Sequence, residues 1–252
     1  MNDAVNLFKV EYEDWIRNWP RAPSSDVTKL TARVISLWKT PDRYLPHVLS
    51  CMEIILVDNE GVKIQASVSK LQDGNFDLEV GFVYKISSFK VIPNDRHVRL
   101  TNNRFRLLFN VETNIFLSGD PSIPREAWSF VDSAEIERSM GTFPHLIDFM
   151  GLLTAVSTVR RIIVQGRVYK MIVMQIVDPT GLVRCLLLGE MVDLLMMELS
   201  SNWINRPIVI LQYFRAKYIR GGIILQNVPH FSSLYINTSF EAVSSFSRRL
   251  IA

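Results

Sequence analysis

The feature that most constrains this chain is a six-residue phrase that occurs twice. Val57-Asp58-Asn59-Glu60-Gly61-Val62 returns as Val177-Asp178-Pro179-Thr180-Gly181-Leu182. Both copies lie between runs of alternating or β-branched apolar residues. A short Gly-containing connection between two such runs signals a β-hairpin. Asp in such turns bonds its own backbone two residues on, and Gly supplies a left-handed φ. The repeat spacing is that of a domain, far longer than a solenoid period.

The flanking pattern repeats with the hairpins. In the first half, strands are predicted over Val27 to Trp38, Met52 to Asp58, Val62 to Lys70, Phe82 to Ile92 and Phe105 to Val111. In the second they are predicted over Leu146 to Thr158, Val168 to Val177, Leu182 to Leu188, Ile208 to Lys217 and Ile223 to Val228. Period-two alternation puts Ile64, Ala66 and Val68 on one face and Gln65, Ser67 and Ser69 on the other. An apolar helix, Met191 to Leu199, falls between the third and fourth strands of the second set, and a short helix is expected over Ser133 to Ser139. Five strands with a helix after the third is the element order of an OB-fold. The fold class expected is therefore all-β: two tandem OB-fold five-stranded Greek-key barrels with short capping helices. The expected division is an arm or short helix over 1–24, a first barrel over 25–118 and a linker over 119–132, where Gly, Pro and Ser cluster. The second barrel takes 133–252 with a C-terminal helix over Thr238 to Arg249.

Composition narrows the function. Acidic and basic residues balance through Phe130, so the net charge of +3 comes entirely from the rest of the chain, nearly all of it Arg. Cys51 and Cys185 are far apart and each sits in an apolar stretch, which reads as two buried thiols in a reducing compartment. His47, His97, His145 and His230 are scattered, with no partner at metal-ligand spacing. No phosphate-binding loop, dinucleotide fingerprint or nucleophile elbow is present. The expectation is a binding protein and not an enzyme, with no metal or cofactor and no membrane association, the N-terminus having no signal-peptide pattern.

Several segments resemble one family. Lys29-Leu-Thr-Ala-Arg-Val34, Leu56-Val-Asp-Asn-Glu-Gly61, Val83-Tyr84-Lys85 and Asn103 to Phe109 with Asn110-Val-Glu-Thr113 look like the first DNA-binding domain of the replication protein A large subunit. Ile147-Asp-Phe-Met-Gly151, Val177-Asp-Pro-Thr-Gly181, Leu188-Gly-Glu190 and Arg220-Gly-Gly222 look like the second. Val62-Lys-Ile-Gln-Ala-Ser67 is closest to divergent plant and transposon-associated members. The resemblance implies single-stranded DNA, or RNA, held in a groove crossing both barrels, in service of replication, repair or recombination in the nucleus. It also implies other subunits of a replication protein A-like complex as partners.

Such grooves combine cations for phosphates with aromatic rings for bases. This chain departs from the family in the rings: Ser69, Leu188 and Ile219 stand at stacking positions, and only Trp38 survives, either as a base platform or as a plug at the barrel mouth. The cations are better kept. Lys39, Arg43, Arg99, Arg104 and Arg106 are candidates in the first barrel. In the second they are Arg160, Arg161 and Arg167 around the first long loop, Arg184 on the third strand, and Arg215, Lys217, Tyr218 and Arg220 on and after the fourth. Lost stacking also leaves a rival reading open, a protein-interaction scaffold with the Met-rich helix as its docking face.

Overall fold

The protein is described by a computed structural model that covers residues 29–41, 49–69, 76–164, 166–202, 207–219 and 221–251. The expected N-terminal arm lies outside the described residues. The chain divides into two compact units between Ala127 and Trp128.

In the first unit the strands are β1 (Lys29–Pro41), β2 (Leu49–Val57), β3 (Lys63–Ser69), β4 (Val83–Ser87), β5 (Lys90–Pro93), β6 (Phe105–Phe109) and β7 (Asn114–Ser118). They form one sheet in the order β5-β6-β3-β2-β1-β4-β7. All pairings are antiparallel except β3 with β6. Only Ser88 and Phe89 separate β4 from β5, so strands at opposite regions of this order are one bent segment and the sheet curls on itself. The predicted strand over Phe82 to Ile92 is thus broken. Ser88 takes φ 60, which a regular strand does not tolerate. Its partner strand breaks at the same level. Thr113 Oγ1 donates to Ser88 O at 3.1 Å while Asn110 Oδ1 accepts from Glu112 N at 3.0 Å, closing a turn between β6 and β7. Two coupled kinks make the corner.

The second unit contains α1 (Ser133–Arg138), β8 (Ile147–Val156), β9 (Arg160–Val164), β10 (Arg167–Asp178), β11 (Gly181–Leu188), α2 (Glu190–Asn202), β12 (Ile208–Ile219), β13 (Gly222–Asn227), β14 (Ser233–Ile236) and α3 (Glu241–Ile251). Five strands close a ring, β8-β10-β11-β13-β12 and back to β8, with β11–β13 its parallel pair. A strand order in which the third strand runs parallel to the fifth, and the first lies between the second and fourth, is that of an OB-fold, as expected. Two strands were not anticipated: β9 extends β10 as a hairpin, and β14 adds to β12.

Both interiors follow from alternation. Leu30, Ala32, Val34, Ile54, Leu56, Ile64, Ala66 and Val68 fill the first barrel. Phe149, Met174, Ile176, Val183, Cys185, Leu187 and Phe214 fill the second, and α2 closes it with Val192, Leu195 and Leu199. Gly151 marks where β8 crosses β10 most tightly: a Cβ there would meet Val177 O at 2.7 Å.

The stretch expected as a linker is shared between the units. Buried Arg33 donates to the carbonyls of Ile123, Pro124 and Gly81, which holds the segment around Ile123 on the first barrel. Trp128 and Phe130 stack at 5.4 Å and pack with Tyr235, Phe240 and the buried Phe246 of α3 in the second.

The two hairpin aspartates do more than turn the chain. Asp58 Oδ1 accepts from the backbone N–H groups of Glu60 and Val62. Asp178 Oδ1 accepts from Thr180 and Gly181 N–H groups and the Ser133 hydroxyl, and Oδ2 from Ser133 N at 2.9 Å, so it also ties down the first turn of α1. Burial raises the Asp58 carboxyl above its usual range. At Asp178 burial pushes the same way, but the Ser133 and Thr180 hydrogen bonds outweigh it and hold the carboxyl below that range. The pH signs are therefore opposite. A depressed native pKa contributes stability above the ordinary value, about 4, that is lost as pH falls through the native one; a raised native pKa contributes stability in acid that is lost as pH rises through it. Thermal melts from neutral to acid pH should show the deficit of Asp178→Asn against wild type shrinking below about pH 4. The deficit of Asp58→Asn should widen over the acid range instead.

Candidate nucleic-acid interface

A strand that sends one row of side chains inward sends the next outward. In the second unit two outward rows run across the sheet. Arg215 pairs with Gln226 and Gln226 with Leu186, which pairs with Val173. In the neighbouring row Lys217 pairs with Ile224, Ile224 with Arg184, and Arg184 with Gln175. Phe214, Ala216, Cys185 and Leu187, one residue out of step, are buried. The fold therefore gathers Arg184, Arg215 and Lys217 on one outer face. Strand spacing puts the Lys217 and Arg184 backbones about 10 Å apart, two strands across. Lys217 Nζ donates to Gln226 Oε1 at 2.9 Å, which fixes the ammonium over the sheet. Leu188 is on this face too, its backbone clamped from both sides by the Asn227 side-chain amide.

Arg160, Arg161 and Arg167 are not on a loop. They stand on the β9–β10 hairpin, where Arg161 pairs with Lys170 and Arg160 with Met171, and all three arginines are exposed. Exposed Ile163 and Val168 pair beside them. Lys170 is held by Asp193 of α2 at 2.5 Å. Tyr218 is exposed at the end of β12, in step with the inward row past the point where the barrel interior ends. Arg220 lies outside the described residues.

In the first unit the outward rows are Trp38–Glu53–Ser67–Leu108 and Ser36–Ile55–Gln65–Arg106. Trp38 is half-buried and shares its outward row with Glu53. Lys39 is in step with Met52 and Val68, the inward row, and is exposed. Arg43 lies outside the described residues. Arg104 is exposed, whereas Arg99 braces its own loop through the carbonyls of Asn102 and Asn103. Arg106 is half-buried and donates to Ser67 Oγ at 3.3 Å. Burial first, and then Arg96, hold its guanidinium pKa below the usual value.

No pattern in the sequence marks Glu53, whose buried carboxylate accepts from Gln65 at 2.8 Å and Ser67 at 2.6 Å and pairs with Arg96 at 3.1 Å. An acidic residue alternating with apolar ones in a strand reads as a solvated position. Only the three-strand register brings its partners together. Glu53 also sets the state of Cys51, which is half-buried where Cys185 is fully buried. Burial, then the neighbouring Glu53 carboxylate, push the Cys51 thiol up to about 11. Iodoacetamide should therefore label neither cysteine appreciably at pH 8 in the folded protein, and Cys51 labelling should climb about tenfold per pH unit below its pKa, because the thiolate is the nucleophile. Labelling of Cys51 at the rate of a free thiol at pH 8 would contradict this geometry.

A family model described as a domain of unknown function, DUF223, matches residues 23–137, somewhat under half of the chain. No curated protein matches the sequence. Among solved structures, a replication protein A heterotrimer bound to single-stranded DNA aligns over 92% of this chain and 54% of that one, at 18% identity and TM-score 0.55. The present chain thus spans about half of that relative, and the likeness establishes a shared fold. A murine DNA-binding protein bound to double-stranded DNA aligns over 83% of this chain and 98% of that one, at 11% identity and TM-score 0.45. The p204 HINb domain aligns over 83% and 96%, at 11% identity and TM-score 0.47.

Proposed function

We propose that this protein binds single-stranded nucleic acid, DNA in the first instance, through the outer sheet faces of its two barrels and without catalysis. The observation that carries the reading is the pair of cross-strand rows holding Arg215, Lys217 and Arg184 on one face of the second barrel. Cations on a rigid sheet meet backbone phosphates at low entropic cost, since the strands already fix their spacing. Exposed Arg160 and Arg167 of the β9–β10 hairpin, in step with Met171 and Val173, extend the same positive surface, whereas Arg161 pairs with Lys170 in the inward row. The OB topology, and a relative of that fold bound to single-stranded DNA, support the choice of ligand.

Among the described candidate positions, half-buried Trp38 is the ring on an outer face, and exposed Tyr218 ends the inward row. Charge then carries a larger share of affinity than in an aromatic-rich groove. Recognition is accordingly tolerant of sequence, and a role in replication, repair or recombination in the nucleus, alongside other subunits, is consistent with it.

A second reading has one specific observation in its favour. Helix α2 buries Val192, Leu195 and Leu199 but exposes Leu194, Met196 and Met197, so it is neither wholly core nor wholly polar outside. Met-rich surfaces adapt to varied protein partners, and a scaffold would use that face.

Anisotropy of a labelled oligothymidylate over a salt series separates the two. The plot of log affinity against log salt should be steep, since each single-strand phosphate contact contributes a slope of about −0.7. Reversing Arg184, Arg215 and Lys217 to Glu should abolish most binding at moderate salt and flatten the slope by roughly two. Absence of binding at low salt would overturn the proposal; a slope unchanged by the reversals would remove the second barrel's face from it.

A further inference from the structure

The outer face of the first barrel is covered by the chain itself. The loop Asn94–Arg104, between β5 and β6, is fastened across it at two points. Arg96 pairs with Glu53, and Leu100 N donates to Gln65 Oε1 at 3.2 Å. Leu100 and Thr101, within the strap, are themselves buried. The fastening centres on one carboxylate. Glu53 Oε2 accepts from Gln65 Nε2 and Ser67 Oγ, and Oε1 accepts from the Cys51 thiol at 3.2 Å and pairs with Arg96. Ser67 Oγ in turn accepts from Arg106.

Hydrogen bonding in this cluster is incomplete. The side-chain atoms Asn94 Oδ1, Thr101 Oγ1, Arg99 Nε and Arg106 Nε are buried with no partner, although Asn94 and Thr101 are each more than nine-tenths buried. Folded proteins leave few such atoms, and each calls for an explanation. Of the two guanidinium N–H groups without a protein acceptor, the one on Arg106 lies within electrostatic reach of Arg96 and Glu53. Arg106 is faced by Arg96, Glu53 and Asp95, so two arginines and two carboxylates balance one another as they stand.

We propose that Arg96 and Arg106 are a phosphate-binding pair of the first barrel, and that Glu53 is the internal anion that occupies the pair until a nucleic-acid phosphate displaces it. The proposal rests on the nucleic-acid reading and adds to it a residue that sets affinity. The Arg96 side chain is 42% exposed while the Glu53 side chain is 6% exposed, so the arginine can swing toward a phosphate and leave the carboxylate held by Gln65 and Ser67. Nucleic acid then competes with an intramolecular carboxylate, which weakens the first barrel's share of binding and makes it depend on opening the strap.

The test is Glu53→Gln in the full chain, with folding checked by thermal melting and binding to oligothymidylate by anisotropy at two salt concentrations. Gln keeps an acceptor for Gln65 and Ser67 but frees Arg96 from its ion pair and removes the carboxylate charge that faces Arg106. Affinity at low salt should rise three- to tenfold, with a salt slope steeper by about one. Arg96→Gln should change little on the wild-type background and remove most of the gain on the Glu53→Gln background. A folded Glu53→Gln protein that binds no better than wild type overturns the inference while leaving the proposed function standing. Binding by neither protein overturns the function itself. Should Glu53→Gln fail to fold, Glu53→Asp withdraws the carboxylate from Arg96 while keeping its charge; a two- to threefold gain is then expected, and no gain overturns the proposal.

Discussion

A small curled sheet has one inside, and the alternation of side chains along each strand leaves no freedom about the other face. Whatever row fills the barrel, the adjoining row faces outward on the same backbone at the same spacing. The core therefore positions the surface. Cys185 and Leu187 inside fix Arg184 and Leu186 outside; Phe214 and Ala216 inside fix Arg215 and Lys217 outside. A one-residue slip would exchange the faces, so the outer face is as well specified as the core.

The two barrels use this constraint differently. In the second, the outer rows leave cations over the sheet, with Gln226 and Asn227 as polar props that fix Lys217 and the Leu188 backbone. In the first, the rows carry an acid, an amide and a hydroxyl that bind one another and a strap from the next loop. One fold thus presents an open basic face and a self-occupied face in a single chain. The paired hairpins show the same divergence in small: identical Val-Asp-x-x-Gly spelling, opposite carboxyl shifts, because only Asp178 receives Ser133 from a helix.

Much of this was legible in the sequence because period-two patterns and turn chemistry are local. The hairpins at Asp58 and Asp178 and the main strands follow from spacing alone. What was not legible depends on contacts between distant segments. The break at Ser88 needs Thr113 across the corner, and the pairing of Arg160–Val164 with the start of β10 turns an expected loop into a hairpin. Glu53 gains its role only when β2, β3 and β6 come into register beside Arg96. Helix α2, apolar almost all round in sequence, divides into a buried and an exposed side only once it lies on the barrel.

In the proposed function nucleic acid lies on the outer sheet faces rather than on α2. Amide hydrogen exchange with and without saturating oligothymidylate distinguishes the two. Protection is expected along β11 to β13 and the β9–β10 hairpin, with changed exchange in the strap Asn94–Arg104 and an unaltered α2. Protection confined to α2, or none on the basic face under conditions where the oligonucleotide is bound, would contradict that placement.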